Sequence, residues 1–183
     1  GDIVRISDGE VLMSLGELAA EKLYSLTDNG HLTAESSYQI KNNAYSFGCT
    51  FVEVEVDIPG CRAQVTDMLN VHDCGKLINP ALAEAQVHGG MSMGIGYALS
   101  EKLLFDEKTG RPLNNNLLDY KLSTFMDHPD LKAAFIENYE PTSAYGTKAL
   151  GEPPACSPAP AIRNAILQAT GVALNEIPMR PHL

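Results

Sequence analysis

An α+β fold, with hairpins packed against helices, is what this chain predicts, and three observations carry the prediction. Residues Thr50–Asp57 (TFVEVEVD) alternate apolar and acidic positions, the mark of a strand with one buried face. Asn79-Pro80 opens a long helix, because proline at a first-turn position lacks only an N–H that the helix leaves unpaired anyway. Strands and helices do not alternate in a β-α-β rhythm, which points away from a doubly wound parallel sheet.

The elements follow in order. Val11 to Tyr24 places apolar residues at helical spacing with Glu17, Glu21 and Lys22 between them, predicting an amphipathic helix capped by Ser7 or Asp8. Thr27 to Ser37 is polar and carries Asn29-Gly30, a turn signal. The strand at Thr50–Asp57 stops at Pro59-Gly60, and Arg62 to Val71 supplies a second strand, so a hairpin is expected. The helix from Pro80 is expected to run to about Leu103. Asp106 to Gly110 reads as a hairpin tip, with glycine supplying positive φ. Leu131 to Tyr139 reads as a strand, its spacing leaving helix open. Ala159 to Thr170 reads as a helix capped by Gly171. The tail Ile177-Pro-Met-Arg-Pro reads as extended.

Gly89, Gly90, Gly94 and Gly96 lie inside the long helix, each costing about 1 kcal/mol against alanine. Spaced glycines are expected where another helix or a ligand presses on the backbone. The Gly90/Gly94 spacing matches membrane helix pairing, but Glu84, Gln86 and His88 argue against a lipid setting.

Composition narrows the function classes. With 183 residues, 44% of them hydrophobic, the chain can bury one substantial core or two small ones. Thirteen basic against 23 acidic residues give a net charge of −10, which argues against nucleic acid as a partner. No apolar run approaches the roughly 20 residues a bilayer span needs, so no membrane is expected. No signal-peptide pattern opens the chain, and Gly1 in place of methionine reads as a piece of something longer. Cys49, Cys61, Cys74 and Cys156 show no paired ligand spacing, so no metal site is expected from this chain alone, and reduced thiols fit a cytoplasmic home. Cys49 is expected to be a small buried hydrophobe, and Cys156, although only four residues after Glu152, is not expected to belong to a site. Among the histidines, His72 reads as a strand-end residue making ordinary hydrogen bonds.

Gly151-Glu152-Pro153-Pro154 is the segment with most chemistry in it. Glycine permits close approach of the backbone, and the two prolines fix φ and bias Glu152 away from helix. The pattern aims one carboxylate from a rigid, non-helical segment. A solvated glutamate in a proline-rich turn is the plain alternative.

The order of five segments decides between them. Asn43–Asp57, Asn70–Pro80, Glu84–Ala98, Asn114–Lys121 and Lys148–Pro154, leading into Ala161–Ile166, together resemble the carboxy-terminal part of the molybdenum-cofactor subunit of the xanthine dehydrogenase/aldehyde oxidase family. The match covers roughly residues 36–183, and the first 35 residues add little to it. Family subunits are much longer, so residues 1–183 are expected to be the C-terminal portion of the molybdopterin-binding catalytic subunit, inactive alone.

What the resemblance implies is specific. Glu152 becomes the general base of a hydroxylation that takes its oxygen from water. Gln86 becomes a contact of the molybdopterin, its amide suiting a pterin edge or an oxo ligand. Gly151 is assigned to cofactor binding, and His88 to a cofactor-facing segment. Lys148 is assigned to a pterin or nucleotide phosphate, with a solvated lysine as the alternative. Amides of Asn114, Asn115 and Asn116 are expected to hold loops. The cofactor is expected to be molybdopterin, as the cytosine dinucleotide in bacterial relatives, with iron–sulfur centres and FAD on other domains or subunits. Expected partners are therefore the rest of the molybdenum subunit, those iron–sulfur and FAD subunits, and a small-molecule substrate. The wording of NNNLLDYK and YGTKALGEPP favours a purine such as xanthine or hypoxanthine; an aldehyde, nicotinate or carbon monoxide is the alternative, and a non-catalytic structural module is the reading from another class.

Overall fold

The alternating run becomes an edge strand. The computed structural model describes residues 1–26, 30–40 and 42–179, and these fall into two units, Gly1–Gln39 and Ile40–Leu183. In the first, β1 (Asp2–Val4) pairs antiparallel with β2 (Val11–Ser14), and α1 (Leu15–Tyr24) follows directly. The predicted helix is thus four residues shorter at its start. Its cap is Ser14, not Ser7 or Asp8: the Ser14 hydroxyl accepts from the Glu17 N–H while the Glu17 carboxylate accepts from the Ser14 N–H. Asn29 of the predicted turn, and Arg180 and Pro181 of the predicted extended tail, lie outside the described residues.

The second unit is built on a three-stranded sheet in the order β3-β4-β5. β3 (Phe47–Asp57) and β4 (Arg62–Asp73) form the predicted hairpin, with a bulge between Glu53 and Val54. β5 (Leu131–Ile136) settles the strand-or-helix ambiguity as strand. It runs parallel to β4, however, with Asn70 opposite Ala133 and His72 opposite Phe135. A parallel partner needs a long crossover, and α2 (Pro80–Leu99) lies in it. One β-α-β connection therefore exists where none was predicted, inside a fold that remains α+β.

α2 is capped by the Asn79 side chain on the Leu82 N–H and ends at Leu99, four residues earlier than expected. Its buried face (Ala83, Val87, Met91, Ile95, Ala98) recurs at a spacing of three to four and meets Val65 and Met68 of β4. Met91 and Ile95, nearly free of solvent, each contribute about 1.5–3 kcal/mol by burial. α3 (Pro153–Cys156) is a single turn, and α4 (Pro158–Thr170) adds Ile162 and Ile166 to the same core before stopping at Gly171, whose φ of 74° forms the left-handed cap. The Asp106–Gly110 tip forms as predicted, Asp106 accepting from Lys108 and Thr109 and Gly110 at φ 68°. Asn114 is buried and holds its loop by accepting from the Leu104 N–H and donating to the Lys102 carbonyl.

The other face of β3 is open. Phe47, Cys49 and Phe51 are exposed there, so Cys49 is not the buried hydrophobe the strand pattern suggested. Residues 50, 52, 54 and 56 face inward, and this one-residue phase decides it. No described helix is long and apolar enough to cross a membrane.

Candidate active site

The end of β4 and the segment before Gly151 are stitched together. Tyr145 and Gly146 both adopt left-handed backbone (φ 56° and 73°), which reverses the chain. The returning segment then bridges antiparallel to Gly75 at Thr147. The Lys148 N–H donates to the Cys74 carbonyl (2.8 Å), and the Lys76 N–H to that of Gly146 (2.8 Å). A side chain on Gly75 (φ 68°) would run into the Gly146 carbonyl oxygen. Ser46 adds a hydroxyl bond to the Ala149 carbonyl (2.6 Å).

Across this junction the Lys148 ammonium meets the Asp73 carboxylate at 2.6 Å, the two side chains only 5% and 9% exposed. Asp73 also accepts from the Gly75 N–H and from the Asn138 amide. Burial pushes the Asp73 carboxyl up, but Lys148 and these donors outweigh it and hold it below its ordinary value. Lys148 lies 5.9 Å from the centre of the Phe47 ring. The sequence left Lys148 between a phosphate partner and a solvated lysine. It is not solvated, and its charge is taken by Asp73.

Beyond Ala149 the chain is tied down again from α2 and β4. The Gln86 amide donates to the Gly151 carbonyl (3.2 Å), and the fully buried Asn70 donates to that of Pro154 (3.2 Å). The Tyr97 hydroxyl donates to the Ala155 carbonyl, and Thr50 and Ser157 share a hydroxyl bond (2.6 Å). Gly90 packs against Pro154 so closely that an added Cβ would lie 2.6 Å from the proline Cβ; Gly94 meets Pro158 in the same way. Two of the helix glycines are thus explained by close packing.

Glu152 itself is exposed, and among the described residues its carboxylate has no hydrogen-bond or ion-pair partner. Its backbone is not extended, as the following proline suggested, but right-handed helical (φ −92°, ψ −29°), because it occupies the cap position of α3. The prolines start a turn of helix here instead of excluding one.

Other expectations change as well. The His72 side chain does not make the ordinary hydrogen bonds expected: it is 1% exposed, neither ring nitrogen has a partner among the described residues, and its ring lies against Gly48. Desolvation by burial depresses its pKa. His88 sits in α2 with Nε2 3.8 Å from Glu84. Cys156 is exposed, its thiol 3.6 Å from the Glu152 carbonyl. Sequence reasoning missed Asp73, Asn70 and Tyr97. Only long-range contacts mark them, although an aspartate two residues before Gly75 is a turn signal. A hollow of about 830 Å³, lined by Glu55, Arg62, Lys121 and Asp127 among others, contains none of the predicted site residues.

Two glycines beside the anchored loop remain unexplained by the chain's own packing. A Cβ on Gly89 or on Gly151 would touch nothing within 4 Å, neither has positive φ, and both are exposed. Among the described residues Gln86 has one amide N–H on Gly151 and the rest of its amide uncommitted. Two bare backbone stretches and a free amide edge fit a flat, polar-rimmed ligand such as a pterin. Among the described residues no cluster of three metal-ligating side chains occurs.

The exposed Glu152 carboxylate thus stands, without a partner among the described residues, on a loop fixed at several points. Residues 2–129 match the molybdopterin cofactor-binding domain family, and the chain belongs to that family. It is 54% identical over 172 residues to the xanthine dehydrogenase molybdenum-binding subunit of Escherichia coli O157:H7, covering 94% of this chain and 23% of that protein. It is 33% identical over 163 residues to the aldehyde oxidoreductase molybdenum-binding subunit of E. coli K12, covering 86% and 22%. Among solved structures, the reconstituted carbon monoxide dehydrogenase of Oligotropha carboxidovorans superposes with a TM-score of 0.74 at 29% identity, covering 86% of this chain and 20% of that one. The chain therefore spans about a quarter or less of these relatives.

Proposed function

We propose that this chain is the C-terminal part of the catalytic subunit of a xanthine dehydrogenase-like molybdenum hydroxylase, in which Glu152 is the general base. The observation that carries the reading is the carboxylate of Glu152, free of partners on a backbone held by Gln86, Asn70 and Tyr97. A bound molybdenum cofactor would supply the redox chemistry, taking up the hydride equivalent released when the substrate's C–H bond is replaced by C–O. The protein's own part is to orient and to move a proton. Glu152 takes the proton of the water-derived oxygen as that oxygen attacks the substrate carbon. Gln86, with Gly89 and Gly151 leaving the backbone bare on either side, holds the pterin edge.

The substrate in this reading is a purine such as xanthine or hypoxanthine. The 54% identity to a xanthine dehydrogenase subunit against 33% to an aldehyde oxidoreductase subunit supports a purine over an aldehyde. The remainder of the subunit, and iron–sulfur and FAD modules that carry electrons away, complete the enzyme in the cytoplasm.

The test is Glu152→Gln in the full-length subunit assembled with its partners. Turnover of xanthine is expected to fall by at least about 1,000-fold with molybdenum and pterin content unchanged. Retained turnover refutes the base assignment. A matured wild-type complex without molybdenum leaves only the structural module standing.

A further inference from the structure

The Lys148–Asp73 pair is a short ion pair between two nearly buried side chains, which a surface charge would not make. It is buried, it joins residues 75 positions apart, and it sits where the segment leading to Glu152 is sewn to the end of β4. Three backbone and side-chain bonds run alongside it: Lys148 to Cys74, Lys76 to Gly146, and Ser46 to Ala149. From this clamp only Leu150 intervenes before Gly151, which Gln86 holds, and Glu152 follows directly. A buried charge cannot slide out of register without leaving its partner unpaired in a poorly solvated setting. The ion pair therefore fixes one end of the span that carries Glu152, as Asn70 and Tyr97 fix the other.

We infer that Lys148 and Asp73 are positioning residues for Glu152: the pair sets where the carboxylate stands and makes no contact of its own with cofactor or substrate. This inference rests on the reading of Glu152 as the base.

The test uses the full-length subunit in its assembled, cofactor-loaded complex, with Lys148→Met, Asp73→Asn and the double variant. Each single variant is expected to lower kcat about 100-fold, the scale of an ångström-sized misplacement, with KM for xanthine and molybdenum and pterin content near wild type. Hydrogen exchange of the amides at residues 150–152 is expected to quicken about tenfold while α2 keeps its protection. The double variant leaves no lone buried charge and decides the matter if a single variant fails to assemble. Its kcat is expected to stay at least about tenfold below wild type.

Three results would overturn the inference. One is a cofactor loss in Lys148→Met that Asp73→Asn does not share, the signature of a phosphate ligand. Another is wild-type kcat in the double variant. The third is unchanged exchange at residues 150–152. Failure of the base reading is distinguishable, because it shows as turnover in Glu152→Gln whatever these variants do.

Discussion

Gln86 of α2 donates its side-chain amide to the backbone carbonyl of Gly151 at 3.2 Å, across 65 residues of sequence. Two residues that the resemblance assigns to cofactor contact are thus bonded to each other, which ties the helix to the Glu152 loop at that point. An exposed neutral hydrogen bond of this kind contributes about 0.5–1.5 kcal/mol. Gln86→Ala in the assembled subunit is therefore expected to leave the melting temperature nearly unchanged. Its kcat with xanthine should fall, by about tenfold, because the loop tether is lost together with the proposed contact to the pterin edge. Steady-state kinetics beside a thermal scan checks this, and an unchanged kcat would show the tether to be idle.

The adjacent glycines of α2 separate packing from ligand approach. An alanine at Gly90 would drive its Cβ to 2.6 Å from the Pro154 Cβ and 2.9 Å from its carbonyl carbon, neither of which can swing away. Overpacking of that sort costs about 1–3 kcal/mol, more than the roughly 1 kcal/mol that alanine returns in helix propensity. Gly89→Ala meets nothing in the chain and should hold or raise the melting temperature. It should nonetheless reduce molybdopterin retention, if the bare face at Gly89 is where the cofactor lies. Thermal scans and metal analysis on both variants give the answer. Full cofactor content in Gly89→Ala would remove Gly89 from the site.

How much of this was legible in the sequence depends on the range of the forces involved. The hairpin, the Pro80 start of α2 and the Gly171 cap rest on signals within a few residues, namely alternation, a first-turn proline and a left-handed glycine, and these were readable. The parallel pairing of β5 with β4 was not, because no local signal records which strand Leu131–Ile136 joins. Glu152 and Gln86 stood out through motif order, yet the hydrogen bond linking their segments did not. Lys148 shows the limit most clearly. A lysine four residues before the key glutamate carries no mark of being buried, since its partner Asp73 lies on a strand 75 positions away. His72 fails for the same reason: the strand pattern places it at a strand end, but only the packed sheet shows both ring nitrogens without partners.

Local capping is a separate prediction, confined to the N-terminal unit. Ser14 accepts from the Glu17 N–H at 3.2 Å while Glu17 returns to the Ser14 N–H at 2.8 Å, closing the first turn of α1. Removing the hydroxyl in Ser14→Ala leaves helix donors unpaired and should destabilise this unit by about 1 kcal/mol. Ser7→Ala and Asp8→Ala should not shorten α1, because neither residue caps it. Hydrogen exchange of the α1 amides in the full-length subunit reads the difference. Equal protection in Ser14→Ala and wild type would mean that tertiary contacts, not the cap, hold the first turn.

The buried pair also sets an acid limit. Asp73 is held below its ordinary value of 3.8 by Lys148, the Gly75 N–H and Asn138, against the opposing pull of burial. A carboxyl depressed in the folded state contributes stability that is complete above its unfolded pKa and disappears as pH falls through the folded one. The contribution is therefore intact at neutral pH and lost only at pH values below that of a free aspartate. Replacing Asp73 by asparagine leaves Lys148 charged and unpaired in a site 5% exposed, which should cost about 3–5 kcal/mol at pH 7. The Asp73→Asn/Lys148→Met double variant strands no charge and should lose much less. The melting temperature of wild type should accordingly fall more steeply than that of the double variant between about pH 5 and about pH 2. Parallel curves over that window would mean that Asp73 titrates alike in the folded and unfolded chains, and that the pair does not stabilise the fold.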